Sequence, residues 1–314
     1  MSSEFDRKVF VRDLKEEFHL TQITGNDDSL NRWIIAPDVN RPGLELTGNM
    51  RETDLKRVNL IGNKELAFIK TLDENTQRER FYSITDGFTP CIIITSGNKT
   101  PEILKQLAMH KNFPIFETDE STFRVVVQVI AYLDEKLAPT ESFHGVMMNI
   151  YGVGVMLQGK SGIGKSELAL DLIQRGHMLV ADDRVDISRV HNDLICRSPE
   201  LLKNMLEIRG VGVIDVSMAF GSTSTLDESY LDFVIELVPF DATKINDRIG
   251  VEDNPTVSIL GVDRPLVKIP VKEGRAMGAI IESAVANFRL LEKGIDSAKI
   301  FDKRVVEYIE KNKE

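Results

Sequence analysis

The octapeptide Gly159–Ser166 constrains the fold of this chain more than any other segment. It reads Gly-Lys-Ser-Gly-Ile-Gly-Lys-Ser and satisfies the pattern G-x-x-x-x-G-K-S of a phosphate-binding P-loop, the Walker A motif. A hydrophobic run, Val153–Leu157, precedes it, and Glu167–Ile173 follows with the apolar spacing of an amphipathic helix. A strand, a glycine-rich turn and a helix in this order form the anion-binding unit of many α/β proteins. We therefore predict an α/β fold with a phosphate site in the second half of the chain.

Each residue type in this loop has a chemical reason to be there. Glycines allow successive backbone N–H groups to point into one concavity, and the helix N-terminus adds a partial positive charge. Lys165 is expected to reach the β- and γ-phosphates, and the Ser166 hydroxyl is expected to ligate Mg²⁺. The predicted nucleotide-binding residues are Gly159, Lys160, Ser161, Gly162, Ile163, Gly164, Lys165 and Ser166.

Two adjacent carboxylates, Asp182 and Asp183, follow the next strand-like segment, Met178–Ala181. One helix and one returning strand fit between Lys165 and Asp182, so both carboxylates should arrive beside the phosphates. One of them would then lie near the metal, and the other would act as a general base toward an attacking hydroxyl. The alternative is a solvated acidic strand end.

The first half of the chain alternates strand-like and helix-like segments. Its strand-like segments are Arg57–Gly62, Cys91–Thr95 and Phe113–Phe116, and an apolar pattern with helical spacing follows each one. This alternation is typical of βαβ units with a parallel sheet. Ala138–Ser142 has the composition of a linker, and 314 residues suit two domains. We predict an α/β domain of regulatory or scaffold role over residues 1–137 and a catalytic P-loop domain over 138–314.

Composition and charge exclude several classes of protein. The chain has 39 Lys and Arg residues against 49 Asp and Glu residues, and its net charge of −10 disfavours nucleic acid and anionic membrane surfaces as partners. Two cysteines, Cys91 and Cys196, are too few for a disulfide framework or a four-thiolate zinc site. Met1–Asp6 lacks the features of a signal peptide, and no window reaches the ~18 apolar residues of a membrane span. We expect a cytoplasmic protein.

Five further motifs surround the P-loop in a fixed order. They are Ser142–Val146, His177–Asp183, Leu206–Ile214, Asp247–Gly250 and Pro270–Arg275. With these motifs the sequence closely resembles the bacterial HPr kinase/phosphorylase family. The resemblance covers nearly all of residues 142–295, and it is thinner in the first half, where it depends mainly on Arg41–Glu45 and Leu60–Leu66.

The resemblance implies a reaction, a substrate and an assembly. The P-loop domain would have the fold that this family shares with phosphoenolpyruvate carboxykinases. The enzyme would use ATP or pyrophosphate, with Mg²⁺, to phosphorylate a seryl residue on HPr, the phosphocarrier of the sugar phosphotransferase system. It would also remove that phosphate by phosphorolysis, in which inorganic phosphate is the nucleophile and pyrophosphate is the product. Members of the family assemble as homohexamers.

The resemblance also implies roles for individual residues. Asp183 would be the acid/base, Lys165 would neutralise charge on the transferring group, and Arg248 would stabilise charge in the transition state. His144 and Asp182 would belong to the same catalytic set, and Ser166 and Glu207 would hold Mg²⁺. The signature segment of the family corresponds here to Leu206, Glu207, Ile208, Arg209, Gly210, Val211, Gly212, Val213 and Ile214, and the segment associated with dephosphorylation corresponds to Pro270, Val271, Lys272, Glu273, Gly274 and Arg275.

The residues alone leave structural alternatives open at four places. His144 could pack under a strand, and Glu207 with Arg209 could be a surface pair on a helix. Arg248 could be a turn residue, and Arg275 could cap the start of a helix.

Two other functions remain compatible with a P-loop. One is a different phosphoryl-transfer enzyme, either a small-molecule kinase or an enzyme like phosphoenolpyruvate carboxykinase. The other is a non-catalytic nucleotide sensor. A GTPase is disfavoured because the nearest match to the guanine-specifying Asn-Lys-x-Asp is Asn63–Leu66, which lacks the aspartate and precedes the loop.

Overall fold

The structure is a computed structural model that describes residues 7–48, 57–85, 88–240, 255–272 and 274–311. The chain divides into two compact units, Met1–Ala138 and Pro139–Glu314. This division falls one residue after the predicted boundary. The predicted linker is shorter than expected, because residues 140–142 already belong to a strand.

The first unit contains seven strands and six α-helices in its described residues. In chain order they are β1 (Val9–Phe10), α1 (Val11–Glu17), β2 (Thr21–Thr24), β3 (Trp33–Ile34), β4 (Val39–Asn40), α2 (Gly43–Thr47), β5 (Val58–Ile61), α3 (Asn63–Ile69), α4 (Glu74–Ile84), β6 (Ile92–Ile94), α5 (Glu102–His110), β7 (Ile115–Glu117) and α6 (Thr122–Lys136).

A five-stranded sheet with the order β2-β7-β6-β5-β4 forms the centre of this unit. Strands β4 to β7 are parallel, and β2 is antiparallel to β7. Every residue of β5 and β6 is buried, because helices cover both faces of the sheet. Val125, Val129 and Leu133 of α6 pack on one face, and α3, α4 and α5 pack on the other. The βαβ prediction for the first half is therefore confirmed.

The second unit contains twelve strands and four α-helices in its described residues. They are β8 (Thr140–His144), β9 (Val146–Ile150), β10 (Val153–Gly159), α7 (Lys165–Gln174), β11 (Met178–Ala181), β12 (Arg184–Val190), β13 (Asp193–Arg197), β14 (Met205–Ile208), β15 (Gly212–Asp215), α8 (Val216–Phe220), β16 (Glu228–Tyr230), β17 (Phe233–Pro239), β18 (Thr256–Ile259), β19 (Val262–Val271), α9 (Met277–Glu292) and α10 (Ser297–Lys311).

A six-stranded sheet with the order β11-β9-β10-β17-β19-β18 positions the P-loop. Strands β10, β17 and β19 are parallel neighbours, so their carboxyl ends meet at one edge of the sheet. The P-loop leaves the sheet at this edge, because it follows β10 directly. Within the described residues, no helix has both the length and the apolar character that crossing a membrane requires.

Two cores hold this sheet between other elements. On one face, Leu168 and Leu172 of α7 pack with Ile281 and Val285 of α9. On the other face lies a four-stranded antiparallel sheet with the order β16-β13-β12-β8, and its Val185 and Ile187 share a core with Met156. The helix that begins at the P-loop is thus held by apolar packing along its whole length.

Gly154 marks a close approach of two backbones within this core. A Cβ atom built on Gly154 would lie 1.6 Å from the carbonyl oxygen of Tyr230. In the same hairpin, Gly152 has a φ of +83° and a Cβ built on it would have no neighbour within 4 Å. The two glycines are therefore required for different reasons: close packing at Gly154 and backbone conformation at Gly152.

We expect Gly154→Ala to lower the free energy of unfolding by about 3 kcal/mol, because the new methyl group would displace backbone rather than a flexible side chain. Gly152→Ala should lower it by only about 1 kcal/mol, the cost of a left-handed conformation for alanine. Denaturant unfolding followed by circular dichroism measures both variants. An equal or smaller loss for Gly154→Ala would contradict the close approach.

Candidate active site

The backbone of the P-loop adopts a conformation that glycine favours. Gly162 and Gly164 have φ angles of +80° and +97°, in the left-handed region. Gly164 is the N-cap residue of α7, so the loop turns directly into the helix N-terminus. At Gly159 a Cβ atom would lie 2.7 Å from the carbonyl oxygen of Leu237 in the neighbouring strand. The predicted order of strand, glycine-rich loop and helix is therefore confirmed.

Lys165 begins α7 and is buried, with 8% of its surface exposed. Its Nζ donates a hydrogen bond to the carbonyl oxygen of Gly159 at 3.2 Å. The side chain thus folds back across the loop. An ammonium group has three donors, so the same group can also serve phosphate oxygens.

Asp182 is buried at the end of β11 and connects three elements. Its carboxylate accepts a hydrogen bond from the Ser166 hydroxyl, at 3.1 Å to Oδ1, and one from the backbone N–H of Glu207, at 3.1 Å to Oδ2. Burial raises the pKa of Asp182, and these hydrogen bonds offset only part of that effect. A cation beside this carboxylate would favour its charged form.

Asp183 points away from its buried neighbour. Its φ is +63°, and its side chain is 71% exposed. The Nδ1 atom of His144 lies 3.0 Å from Asp183 Oδ1 and 2.9 Å from the carbonyl oxygen of the same residue. Because a carbonyl oxygen only accepts, the second contact requires a proton on Nδ1. His144 therefore holds Asp183 in place, rather than packing under a strand.

The signature segment forms the β14–β15 hairpin. Glu207 pairs with Val213 across this hairpin, so the alternative of a surface pair on a helix is wrong. Leu206 and Ile208 are buried, and Glu207, which alternates with them, faces outward. Arg209 at the tip reaches the P-loop, because a Cβ atom on Gly162 would lie 3.1 Å from its guanidinium group.

A cleft of about 250 Å³ joins these elements. It contains the buried ammonium of Lys165, the two aspartates and the N-terminus of α7, so cationic and anionic groups face each other across it. The residues lining it are His144, Ser161, Gly162, Gly164, Lys165, Ser166, Glu167, Asp182, Asp183, Glu207 and Arg209. Glu167 and the contact of Arg209 with the loop were not singled out from the sequence, because neither follows from spacing along the chain.

The segment Pro270–Arg275 lies at the same edge of the sheet but is not among the described residues that line the cleft. Pro270 and Val271 end β19, and Lys272 places its ammonium 4.7 Å from the centre of the Phe240 ring. The backbone N–H of Arg275 bonds to the carbonyl of Lys272 at 3.3 Å, which closes a turn before α9. Glu273 and Arg248 lie outside the described residues.

Two family models match the chain. The model described as HPr Serine kinase N terminus matches residues 9–133, and the HPr Serine kinase C-terminal domain matches residues 135–305. The chain belongs to the HPr kinase/phosphorylase family. HPr kinase/phosphorylase 1 of Oceanobacillus iheyensis is 40% identical over 304 residues, which cover 96% of this chain and 97% of the relative. HPr kinase/phosphorylase of Streptococcus gordonii is 40% identical over 305 residues, covering 97% and 98%.

A solved structure of the family is also similar. The Hpr(Ser) kinase/phosphatase from Coxiella burnetii is 34% identical, covers 51% of this chain and 98% of its own, and superposes with a TM-score of 0.46. The sequence matches to both family models show that the resemblance extends through the first unit as well as the second.

The oxygen atoms around Asp182 fit a magnesium ion. Mg²⁺ prefers hard oxygen ligands, uses one or two protein groups and completes its coordination with water and substrate phosphates. The Ser166 hydroxyl and the Asp182 carboxylate already lie together, and Glu207 lines the same cleft. Among the described residues, no group of three or more His, Cys, Asp or Glu could hold a metal ion by itself. Water and substrate phosphates would complete the coordination.

We expect the free energy of unfolding of metal-free Asp182→Asn to increase relative to that of metal-free wild type as the pH rises. Burial raises the pKa of Asp182 in the folded state, so wild type loses stability between the unfolded-state pKa, about 4, and the raised folded-state value. The variant has no carboxyl group at this position and so does not lose stability in this way. The difference in free energy of unfolding between variant and wild type should therefore stop changing above the folded-state pKa. Chemical denaturation in EDTA from pH 4 to 8 measures it.

Addition of Mg²⁺ with pyrophosphate should stabilise wild type more than Asp182→Asn. A difference between Asp182→Asn and wild type that stays constant with pH would contradict the role given to burial.

Proposed function

We propose that this protein transfers a phosphoryl group from ATP or pyrophosphate to a seryl residue of HPr and reverses the reaction by phosphorolysis. The observation that carries the proposal is the division between the two adjacent aspartates. Asp182 is buried, whereas Asp183 is exposed to solvent and paired with His144, and both residues line the cleft. The names of the relatives, HPr kinase/phosphorylase, support the same reaction.

In the forward direction, Asp183 accepts the proton of the seryl hydroxyl as that oxygen attacks the terminal phosphorus of the donor. Lys165 faces the cleft and stabilises negative charge on the transferring phosphoryl group and the leaving phosphate. His144 is a positioning residue, because it holds the Asp183 carboxylate through Nδ1.

In the reverse direction, the same groups act in the opposite sense. An oxygen of inorganic phosphate attacks the phosphorus of phosphoserine, the P–O bond to the seryl oxygen breaks, and Asp183 returns the proton to that oxygen. The two phosphates leave together as pyrophosphate. Because the P-loop binds the β- and γ-phosphates, pyrophosphate can bind there without contacts to a base or a ribose.

Ser166, Asp182 and Glu207 are the proposed magnesium ligands, with Asp182 in direct contact with the Ser166 hydroxyl. The ion would neutralise phosphate charge and orient the donor. Two further assignments come from the motifs: Arg248 stabilises charge in the transition state, and Pro270–Arg275 serves dephosphorylation. Phe240, the last described residue before Arg248, follows β17 at the edge that carries the P-loop. We also propose a cytoplasmic homohexamer, as the family resemblance implies.

The products of dephosphorylation distinguish phosphorolysis from hydrolysis. Incubation of seryl-phosphorylated HPr with ³²P-labelled orthophosphate and Mg²⁺ should release labelled pyrophosphate, one molecule for each serine restored. Release of orthophosphate alone, independent of added phosphate, would identify a phosphatase instead. A protein that leaves HPr unlabelled with ATP but phosphorylates a metabolite would be a small-molecule kinase.

We expect Asp183→Asn to lower the rates of both phosphorylation and phosphorolysis by about 10²–10⁴-fold, the usual contribution of a general acid or base. Nucleotide and pyrophosphate binding, measured by calorimetry, should persist, because Asp183 is exposed and lies outside the loop. Asp186→Asn is the control, because Asp186 lies on β12, three residues after Asp183, and is not among the described residues that line the cleft. Survival of both activities in Asp183→Asn would refute the assignment, and their absence in wild type would favour a nucleotide sensor.

A further inference from the structure

An exposed apolar surface adjoins the cleft on the side of the β14–β15 hairpin. Val211, Val213 and Met218 are 73%, 65% and 86% exposed, and we call these three residues the hairpin patch. A contiguous apolar surface that stays exposed on a folded protein marks an interaction site. None of the reaction steps above uses these side chains.

The strand register places Val213 at the rim of the cleft. Val213 lies directly opposite Glu207 in the antiparallel hairpin. Side chains of a directly opposed pair project from the same face, with Cβ atoms about 5 Å apart. Because Glu207 lines the cleft, Val213 is an immediate neighbour of the site. Val211 lies at the tip of the same hairpin, two residues from Arg209, and Arg209 reaches the P-loop.

Met218 extends the patch away from the cleft. Asp215 alternates with Ile214 and therefore lies on the face of Val213. Its Oδ1 accepts the backbone N–H of Met218 at 3.0 Å, so α8 begins against this face of the hairpin. The opposite face of the hairpin, with Leu206 and Ile208, is packed into the core. The patch is consequently held on a rigid support.

The other side of the cleft has a different character. There β8 ends at His144 and β12 begins just after Asp183, and the exposed side chains of both strands are polar. Arg184 contacts both Ser142 and Asp186, so these three groups satisfy one another. The hairpin, by contrast, has the exposed apolar side chains of Val211 and Val213.

We propose that the hairpin patch is the surface on which HPr docks, an inference that depends on the proposed function. The seryl hydroxyl must come within hydrogen-bonding distance of the Asp183 carboxylate. A cleft of about 250 Å³ admits a side chain and phosphates but not a protein. The body of HPr must therefore rest on the rim, and the hairpin patch is an apolar surface there whose burial would contribute binding energy.

Steady-state kinetics with pyrophosphate as donor test this docking site. Met218→Ser should raise the KM for HPr about tenfold, while kcat and the KM for pyrophosphate stay unchanged. A tenfold change corresponds to about 1.4 kcal/mol of binding energy. Val213→Thr, which keeps the β-branched shape, should also raise the KM for HPr. Because Met218 is exposed, its replacement should leave folding intact.

Tyr230→Ser is the matched control. Tyr230 is 59% exposed, but its backbone lies beside Gly154 near the start of β10, at the end of the strand remote from the P-loop. Loss of apolar surface there should leave the KM for HPr unchanged. An equal effect in all three variants would indicate a general property of the surface and would overturn the docking site.

The remaining outcomes separate the docking site from the proposed function. If wild type does not phosphorylate HPr, the proposed function fails and the docking site fails with it. If wild type is active but Met218→Ser and Val213→Thr leave the KM for HPr unchanged, only the docking site is refuted. A parallel rise in the KM for pyrophosphate would mean that the patch acts through the P-loop. A change in mass by light scattering would identify the patch as an interface between copies of this chain.

Discussion

The buried carboxylate of Asp182 is the interaction on which the catalytic site depends. It ends β11, accepts a hydrogen bond from Ser166 in the first turn of α7, and accepts another from the backbone of Glu207 in β14. This one side chain therefore links β11 to both α7 and β14. The cost is the desolvation of a carboxylate, which is visible as a raised pKa. A cation bound beside it would offset that cost, so the geometry is already prepared for metal and phosphate.

The parallel strands of the six-stranded sheet position the P-loop beside Asp182. Because β10, β17 and β19 are parallel neighbours, their carboxyl ends lie at one edge, where the P-loop begins and where Pro270 and Val271 end β19. The left-handed backbone of Asp183 then turns the second carboxylate away from the first. Two consecutive aspartates thereby acquire opposite environments: one is buried and bonded to the P-loop helix, and the other is exposed and paired with His144. A straight strand would also separate them, but it would not bring the carbonyl of Asp183 to the imidazole.

Patterns local in the chain predicted much of the architecture. The apolar run Cys91–Thr95 predicts a strand buried on both faces, and β6 is such a strand. The helical spacing from Ile281 to Leu291 corresponds to α9, and Gly294 closes that helix through its N–H bond to Leu291 at 2.8 Å. Residues 140–142 look like a linker in composition, since polar residues dominate, but they form an edge strand paired with β12. The final helix, α10, has amphipathic spacing that was not recognised, and no residue of it is buried within the structure described.

The sequence by itself determined the chemistry of the loop, because each of its residues acts through a neighbour only a few positions away. Glycine conformations, the start of α7 and the identity of Lys165 and Ser166 all follow from the octapeptide and the segments beside it. The tertiary structure alone decided which carboxylate is buried, that His144 faces Asp183, and that Arg209 reaches Gly162. These contacts join residues on separate strands, and their distances are set by sheet register and core packing. Such long-range constraints leave no local pattern in the chain, so they become visible only when the strands are placed side by side.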